Sequence, residues 1–283
     1  MIFKTLDAIK EAVRRPAYRR YLWARLYRKP ANIGTEALRL YLQSENVSAE
    51  PNSSPAPHNH ALSKVRDLLF TESPYAGFSP DGEPNDLQGW GSDDPILGDA
   101  IRLVQPSRIC EVGSWKGRSA IHMAQVVREL DLDTEIVCVD TWLGSPEHWL
   151  RPDWYDWLRV QYGYPQLYHT FLGNIVRENL TDIITPFPMT SENAAVVFER
   201  LKVRFDLVYI DAAHEYESVK RDLAMYYALL NDDGLLIADD YGRWSGVTDA
   251  VYDFAHQHRL RFVSKSGKAV IPKGKRYTKL GLK

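Results

Sequence analysis

From about residue 94 onward, apolar strand-like runs alternate strictly with helix-like segments, and this alternation limits the fold more than any other feature of the sequence. Strands that alternate with helices form parallel sheets with right-handed crossovers. Two further short runs on either side of Gly267 predict a closing hairpin. We therefore predict an α/β protein with a doubly wound, mostly parallel, seven-stranded sheet. The predicted strands are 108–112, 135–140, 183–187, 205–211, 235–239, 260–264 and 268–272.

The first predicted strand ends in a glycine turn that opens a helix. The stretch from Arg108 to Ala124 reads R-I-C-E-V-G-S-W-K-G-R-S-A-I-H-M-A. Its two glycines let backbone N–H groups approach a ligand at a helix N-terminus. Their spacing, G-x-x-x-G, differs from the G-x-G-x-x-G of dinucleotide-binding folds, and Glu111 before the turn favours a cationic or hydroxylated ligand over a pyrophosphate. A nucleotide-binding α/β domain of another kind is the alternative.

Carboxylates end three of the predicted strands. Asp140 ends the second strand, where it can accept hydrogen bonds from ribose hydroxyls. Asp211 ends the fourth strand, and Asp239 and Asp240 end the fifth. Because neighbouring strands lie about 4.8 Å apart, the last three acids are expected to converge, and such charges must be protonated or neutralised. A divalent cation, Mg²⁺ first, is the predicted neutraliser; a solvated turn at Asp239–Asp240 is the alternative.

These motifs resemble those of the class I S-adenosylmethionine-dependent methyltransferases. The turn E-V-G-S-W-K-G-R-S-A and Asp140 stand where that family holds the methionine and ribose parts of its cofactor. The blocks G-W-G-S-D-D-P, V-D-T-W-L-G-S and D-A-A-H-E-Y narrow the resemblance to metal-dependent O-methyltransferases that act on sugar hydroxyls of glycosylated natural products. The resemblance covers roughly residues 85–272. It implies a Rossmann-like methyltransferase fold, S-adenosyl-L-methionine and Mg²⁺ as cofactors, and a small-molecule or glycan hydroxyl as the acceptor.

The resemblance also implies roles for individual residues. His214 matches the base that accepts the hydroxyl proton, and Asp211 is assigned to catalysis, to cofactor binding and to the metal, which it holds with Asp239 and Asp240. The remaining predicted cofactor-binding residues are Glu111, Gly113, Ser114, Gly117, Ser119, Asp140, Thr190 and Ser191. For His214 and for Ser191, the alternative role is that of a helix cap.

Aromatic side chains are concentrated in residues 141–182, between the second and third predicted strands. At the carboxyl end of a strand such side chains can form a wall for a sugar ring or a flat substrate. We predict that Trp142, His148 and Trp149 face the site, with Trp90 on a glycine-rich loop within the predicted loop 73–94. Helix–helix packing is the alternative for the other aromatic residues.

The formal net charge of −2 conceals an excess of basic residues at both ends of the sequence. Residues 1–45 carry ten Lys and Arg against four acids, and residues 261–283 carry eight bases and no acid. We predict a helical, basic N-terminal arm over residues 1–45, a linker over 46–72 and a methyltransferase domain over 73–283. The arm is expected to serve homo-oligomerisation or contact with an anionic membrane surface; folding onto the acidic body is the alternative. No nucleic-acid partner is expected.

The cellular compartment is predicted from cysteine usage and from signals that the sequence lacks. Cys110 and Cys138 fall in predicted buried strands and suit a reducing compartment. No apolar run reaches the roughly 18 residues that span a bilayer, and no secretory signal pattern is present. We therefore expect a cytoplasmic protein.

Three other functions stay open at this point. The first is a methyltransferase-fold protein with another activity, such as hydroxylation. The second is a nicotinamide-dependent oxidoreductase, which the missing G-x-G-x-x-G disfavours. The third is a non-catalytic cofactor-binding protein, which the convergence of three acids and a histidine disfavours.

Overall fold

The computed structural model describes residues 64–274, which form one seven-stranded sheet covered by helices. The strands are β1 (Arg108–Val112), β2 (Glu135–Asp140), β3 (Ile184–Pro188), β4 (Phe205–Ile210), β5 (Leu230–Ala238), β6 (Val263–Lys265) and β7 (Lys268–Pro272). The helices are α1 (Val65–Leu69), α2 (Pro95–Val104), α3 (Arg118–Glu129), α4 (Pro146–Leu150), α5 (Pro152–Tyr155), α6 (Leu167–Arg177), α7 (Ser191–Arg200), α8 (Tyr216–Leu229) and α9 (Ser245–Gln257). A short 3₁₀ helix spans Asp156–Leu158.

The strand order across the sheet is β3-β2-β1-β4-β5-β7-β6. The first five strands pair in parallel, whereas β7 pairs antiparallel with both β5 and β6. The prediction of a doubly wound, mostly parallel, seven-stranded sheet with a terminal hairpin is therefore confirmed. The order reverses between β1 and β4, and open α/β sheets bind ligands beyond the carboxyl ends of the strands at such a point.

Two hydrophobic cores, one on each face of the sheet, explain why the central strands are almost continuously apolar. Alternate residues of a strand face opposite sides, so that Ile109 packs with α2, α3 and α6, whereas Cys110 packs with α7, α8 and α9. Cys110 and Cys138 are both fully buried in strands, as the sequence predicts.

Residues 65–69 form a helix, although the sequence places them in the linker. Both carboxylate oxygens of Glu135 accept hydrogen bonds from the first turn of α1, from the N–H of Val65 at 2.6 Å and that of Arg66 at 2.9 Å. Val65 is fully buried. Because these contacts attach α1 to β2, the described domain begins before residue 73. The predicted arm over 1–45 and the linker up to residue 63 lie outside the described residues.

No helix within residues 64–274 combines the length and the apolar character that a membrane-spanning segment requires.

Candidate active site

A pocket of about 530 Å³ lies at the carboxyl ends of β1, β2, β4 and β5, beside the reversal in strand order. Its volume lies within the range of small-molecule sites. Most of the residues predicted from the sequence line it. They are Trp90, Gly113, Ser114, Ser119, Asp140, His148, Thr190, Ser191, Asp211, His214, Asp239 and Asp240.

The turn after β1 is held in shape by Asp140 at the end of β2. Its Oδ2 accepts hydrogen bonds from the N–H groups of Ser114 and Trp115, both at 2.9 Å, and its Oδ1 accepts one from the N–H of Trp142 at 2.7 Å. Burial raises the pKa of Asp140, and the backbone hydrogen bonds oppose that rise. A carboxylate can accept about four hydrogen bonds, so Asp140 both shapes the turn and keeps acceptor capacity for a ligand.

Gly113 is required by the packing of the protein itself. Its φ is +88°, and a Cβ at this position would lie 2.0 Å from the carbonyl oxygen of Asp211. The turns that follow β1 and β4 are also joined by a hydrogen bond from the N–H of Asp211 to the carbonyl of Val112 at 2.8 Å. The glycine therefore lets Asp211 lie close to the turn that follows β1.

Two predicted cofactor-binding residues support the turn from beneath and do not line the pocket. Glu111 is fully buried; it accepts hydrogen bonds from the hydroxyl of Ser119 at 2.5 Å and from the thiol of Cys138 at 3.4 Å, and burial raises its pKa. Gly117 is the left-handed residue before α3, and a Cβ there would lie 3.0 Å from the Phe171 ring. Glu111 bonds Ser119 beneath the turn and Gly117 packs against α6, and their contact with a cofactor stays a prediction.

Three acids converge in the pocket, as expected from the strand ends. Asp239 is buried, and its Oδ2 accepts hydrogen bonds from Lys268 Nζ at 2.7 Å and from the Tyr209 hydroxyl at 2.5 Å. The same hydroxyl lies 3.2 Å from Asp211 Oδ2. Burial, followed by the negative charges of Asp239 and Asp240, raises the pKa of Asp211 well above its ordinary value.

The predicted Mg²⁺ does not fit this arrangement. Charge is the reason: the ammonium of Lys268, whose side chain is 1% exposed, lies 2.7 Å from Asp239 Oδ2, and Oδ1 accepts the N–H of Asp240 at 2.7 Å. Asp240 is paired with His214. In the part of the chain that the structure describes, no group of three or more His, Cys, Asp or Glu residues is arranged to hold a metal ion. Among the described residues, the positive charge beside Asp239 is that of Lys268, and nothing supports the predicted Mg²⁺.

His214 is held between an acid and an indole. Its Nε2 lies 3.0 Å from Asp240 Oδ2, and its ring stacks on Trp244 with centroids 4.3 Å apart and an angle of 2° between the planes. Burial lowers the pKa of His214, but the hydrogen bond and the charge of Asp240 outweigh that effect, and the pKa is raised. The arrangement fixes both the ring orientation and the nitrogen that faces Asp240.

An aromatic cluster forms another part of the pocket wall. The imidazole of His148 stacks on Trp115 at 4.4 Å, and Trp90 lies 5.6 Å from Trp154. Because Nδ1 of His148 accepts the N–H of Ser145 at 3.2 Å, its proton is assigned to Nε2, which is buried and has no partner among the described residues. Burial lowers the pKa of His148. The cluster therefore presents flat apolar faces to the pocket, whereas Nε2 of His148 is enclosed by its neighbours.

Two of the predicted substrate residues lie elsewhere. Trp142 is buried in the core, where its ring packs against Phe171 at 4.8 Å and its indole N–H donates to the carbonyl of Trp115 at 2.8 Å. Trp149 is exposed and donates to the carbonyl of Leu143. Neither side chain lines the pocket, so their predicted contact with substrate is corrected.

Four important residues were missed by sequence reasoning. Trp115 sits inside the glycine turn and was interpreted only as part of that motif. None of the other three carries a motif of its own: α5 and the β5–α9 turn bring Trp154 and Trp244 to the pocket, and the hairpin register brings Lys268 against Asp239.

A search of the curated proteins finds no match to the sequence. Among solved structures, the chain is similar to the O-methyltransferase TomG from Streptomyces achromogenes in complex with SAM, with 14% identity, a TM-score of 0.48, and 67% of this chain and 83% of that chain covered. It is also similar to an O-methyltransferase from Bacillus cereus in complex with SAH, with 14% identity, a TM-score of 0.47, and 90% and 96% covered. Identities and TM-scores this low assign no activity to the chain.

Most of the residues that line the pocket lie within residues 110–241. Residues 110–241 begin in β1, include the turns after β1, β2, β4 and β5, and contain Asp140, Asp211, His214 and Asp240. This segment, residues 110–241, matches the family model of a methyltransferase domain.

Proposed function

We propose that this chain transfers the methyl group of S-adenosyl-L-methionine to a hydroxyl group of a small molecule or glycan. One observation carries the proposal: the segment that matches a methyltransferase domain also builds the pocket at the sheet's reversal point. The charges support a sulfonium cofactor, because Asp211 faces the pocket as a carboxyl group whose ionisation a nearby cation would favour.

The cofactor is proposed to lie across the ends of β1 and β2. Asp140 accepts from the ribose hydroxyls with its remaining capacity, and the turn at Ser114 and Trp115 borders the methionine part. Thr190 and Ser191 border the adenine at the start of α7, where Thr190 also caps the helix through the N–H of Asn193 at 3.2 Å. The capping and binding roles of Thr190 are compatible because a hydroxyl both donates and accepts.

The chemistry is a direct transfer with His214 as the general base. The acceptor oxygen forms a bond to the methyl carbon while the bond from that carbon to the sulfonium sulfur breaks, and the hydroxyl proton passes to His214. Because Nε2 faces Asp240, the proton is received at Nδ1, and Asp240 stabilises the imidazolium that forms. A positioned base of this kind contributes about 10²–10⁴-fold in rate. Alignment of the two reacting atoms supplies much of the remainder.

The proposed acceptor is a sugar, whose ring would lie against the aromatic wall of the pocket. Sugar rings carry apolar faces that stack on indoles and hydroxyl edges that need hydrogen-bond partners. The pocket wall offers indoles at Trp90 and Trp244 for the ring face and carboxylates at Asp211 and Asp240 for the hydroxyl groups. Flat aromatic acceptors would use the same indoles, so both classes of compound belong in the test.

The proposed role of residues 1–45 is association, in a homo-oligomer or at an anionic membrane surface, because ten of these residues are Lys or Arg. A chain that begins at residue 46 is expected to bind the cofactor with unchanged affinity and to differ in oligomeric state or in liposome binding. Loss of cofactor binding in a folded, truncated chain would place the arm at the active site instead.

The experiment that tests the function is an isotope-transfer assay. The full chain is incubated with S-adenosyl-L-methionine labelled with ¹³C in its methyl group and with a panel of glycosides and hydroxylated aromatic compounds. We expect a labelled methyl ether on at least one acceptor, and a loss of about 10²–10⁴-fold in rate for His214→Ala. His256→Ala is the matched control, since this histidine is exposed on α9 away from the pocket. Wild-type turnover by His214→Ala would remove the base from the mechanism.

A further inference from the structure

We infer that Lys268 is the internal cation beside this active site, and that it takes the place of a metal ion in neutralising Asp239. Lys268 is thus a positioning residue for a metal-independent reaction. The inference about neutralisation rests on the geometry alone, whereas its consequence for turnover rests on the proposed function.

The hairpin register brings Lys268 to the acids. Ala238 pairs with Ala269 across the antiparallel strands β5 and β7, so the residue before Ala269 lies opposite the residue after Ala238, which is Asp239. The turn Ser266–Gly267 reverses the chain just before Lys268, and both turn residues have positive φ angles of 54° and 83°. A lysine at the first position of β7 is therefore fixed next to the end of β5.

Because the ion pair is buried, Lys268 is held next to Asp239. The side chains of Lys268 and Asp239 are 1% and 4% exposed, and their charged atoms lie 2.7 Å apart. A buried ammonium needs a charged or strongly polar partner, so Lys268 cannot leave Asp239 without a large loss of stability. A divalent ion bound to Asp239 would meet this fixed positive charge at contact distance, and like charges there repel strongly.

The pair also orders the groups that face the cofactor. Lys268 and Tyr209 both donate to Oδ2 of Asp239, and Nζ lies 5.6 Å from the centre of the Tyr209 ring. The Tyr209 hydroxyl lies within 3.2 Å of Asp211 as well. Through this chain of contacts Lys268 sets the position of Asp211, the carboxyl group that is proposed to face the sulfonium.

The first experiment uses the unmodified protein. The full chain, stripped of metal with EDTA, is titrated with Mg²⁺ and, separately, with Mn²⁺ while calorimetry and the electron paramagnetic resonance of free Mn²⁺ report binding. We expect no saturable binding at millimolar concentrations and, with an acceptor from the isotope-transfer panel, the same turnover in EDTA as in Mg²⁺. Stoichiometric binding of either ion, or turnover that EDTA abolishes and Mg²⁺ restores, would overturn the inference.

The second experiment removes the cation. Lys268→Met leaves Asp239 without its charge partner, and we expect this variant to gain Mn²⁺ binding that the parent lacks, by at least tenfold in affinity. Lys268→Arg keeps the charge and is expected to bind no Mn²⁺. The double variant Lys268→Met/Asp239→Asn is the matched control for folding, since it removes both charges and is expected to fold without binding Mn²⁺. If folded Lys268→Met binds no more Mn²⁺ than the double variant, Lys268 does not take the place of a metal.

Different results would contradict the proposed function and the inference about Lys268. A chain that binds neither S-adenosyl-L-methionine nor metal contradicts the proposed function and leaves Lys268 as the neutralising cation. A chain that transfers methyl groups only with Mg²⁺ supports the proposed function and contradicts the inference about Lys268.

Discussion

His214 Nε2 lies 3.0 Å from the Oδ2 atom of Asp240, at the end of a strand whose neighbour carries Asp211. The pair resembles the base and orienting acid of other proton-transfer sites, in which the acid fixes the tautomer of the imidazole and stabilises its charged form. Asp240 adopts a left-handed backbone conformation with φ of +57°, and strain of this kind is concentrated at functional sites.

The pH dependence of turnover is expected to follow this pair. The pKa of His214 is raised above 6.5 because Asp240 outweighs burial, and a base must be unprotonated to act. The rate is therefore expected to rise with pH through a value above 6.5. Asp240→Asn removes the charge, so the rising limb is expected to move to lower pH while the maximal rate falls. A limb that stays in place in this variant would separate His214 from the observed ionisation.

The sequence predicted the strand ends and their acids because these are local features. The glycine turn, Asp140, Asp211 and the Asp239–Asp240 pair lie at the ends of apolar runs, and any parallel sheet with these strands as neighbours brings them to one edge. The same reasoning could not detect Lys268, which reaches Asp239 only through the antiparallel register of β7 on β5. The positive charge beside these acids was consequently predicted to be that of a metal ion.

The local sequence also could not predict which aromatic side chains face the pocket. Trp142 and Trp149 lie in the same stretch of sequence as His148, yet one packs in the core and the other lies on the surface. Which side of a short helix faces a pocket depends on how that helix docks, and α4 and α5 are too short to carry a clear amphipathic pattern.

The glycine at position 113 is expected to be essential for stability. Gly113→Ala would place a Cβ 2.0 Å from the carbonyl oxygen of Asp211, so the backbone must move. Gly163→Ala is the control, since Gly163 has a φ of +78° but a Cβ added there would meet no atom within 4 Å. We expect the control to lose about 1–2 kcal/mol, the cost of a left-handed alanine, and Gly113→Ala to lose more in urea unfolding. Equal losses would show that the turns after β1 and β4 can move apart without a cost in stability.

The pH dependence of protein stability is expected to follow the ionisation of Asp222. This buried acid of α8 has its pKa raised from 3.8 to about 6, chiefly by burial. Between these pH values the folded state holds a proton that the unfolded state has lost, so the stabilising effect of that proton disappears as pH rises through about 6. The difference amounts to about 3 kcal/mol at 1.36 kcal/mol per pH unit.

Thermal unfolding of Asp222→Asn at two pH values measures this contribution. The variant mimics the protonated acid, so we expect it to be more stable than the parent at pH 8 and similar to it at pH 4. Asp153→Asn is the control, since this acid is exposed in a surface ion pair with Arg151. A stability difference that does not change with pH would show that Asp222 is ionised in the folded state.

The acceptor is expected to contact Trp90 and not Trp149. Both indoles are similarly exposed, at 48% and 42%, but only Trp90 lines the pocket. Trp90→Ala is expected to raise the acceptor KM about tenfold, since a stacked aromatic contact is worth about 0.5–1.5 kcal/mol beyond its buried area. Trp149→Ala is expected to leave that KM unchanged. Equal effects of the two variants in steady-state kinetics would exclude Trp90 as part of the acceptor surface.

The most direct test of the central claim, that this pocket holds a sulfonium cofactor beside Asp211, is a calorimetric titration of the full chain with S-adenosyl-L-methionine in two buffers of different ionisation enthalpy. The pKa of free Asp211 is raised by burial and by Asp239 and Asp240, and a bound cation favours the ionised form. We therefore predict one-to-one binding with release of a proton, and weaker binding without proton release for Asp211→Asn. Absence of saturable binding by the folded chain, or the same affinity and the same proton release in Asp211→Asn, would contradict the account.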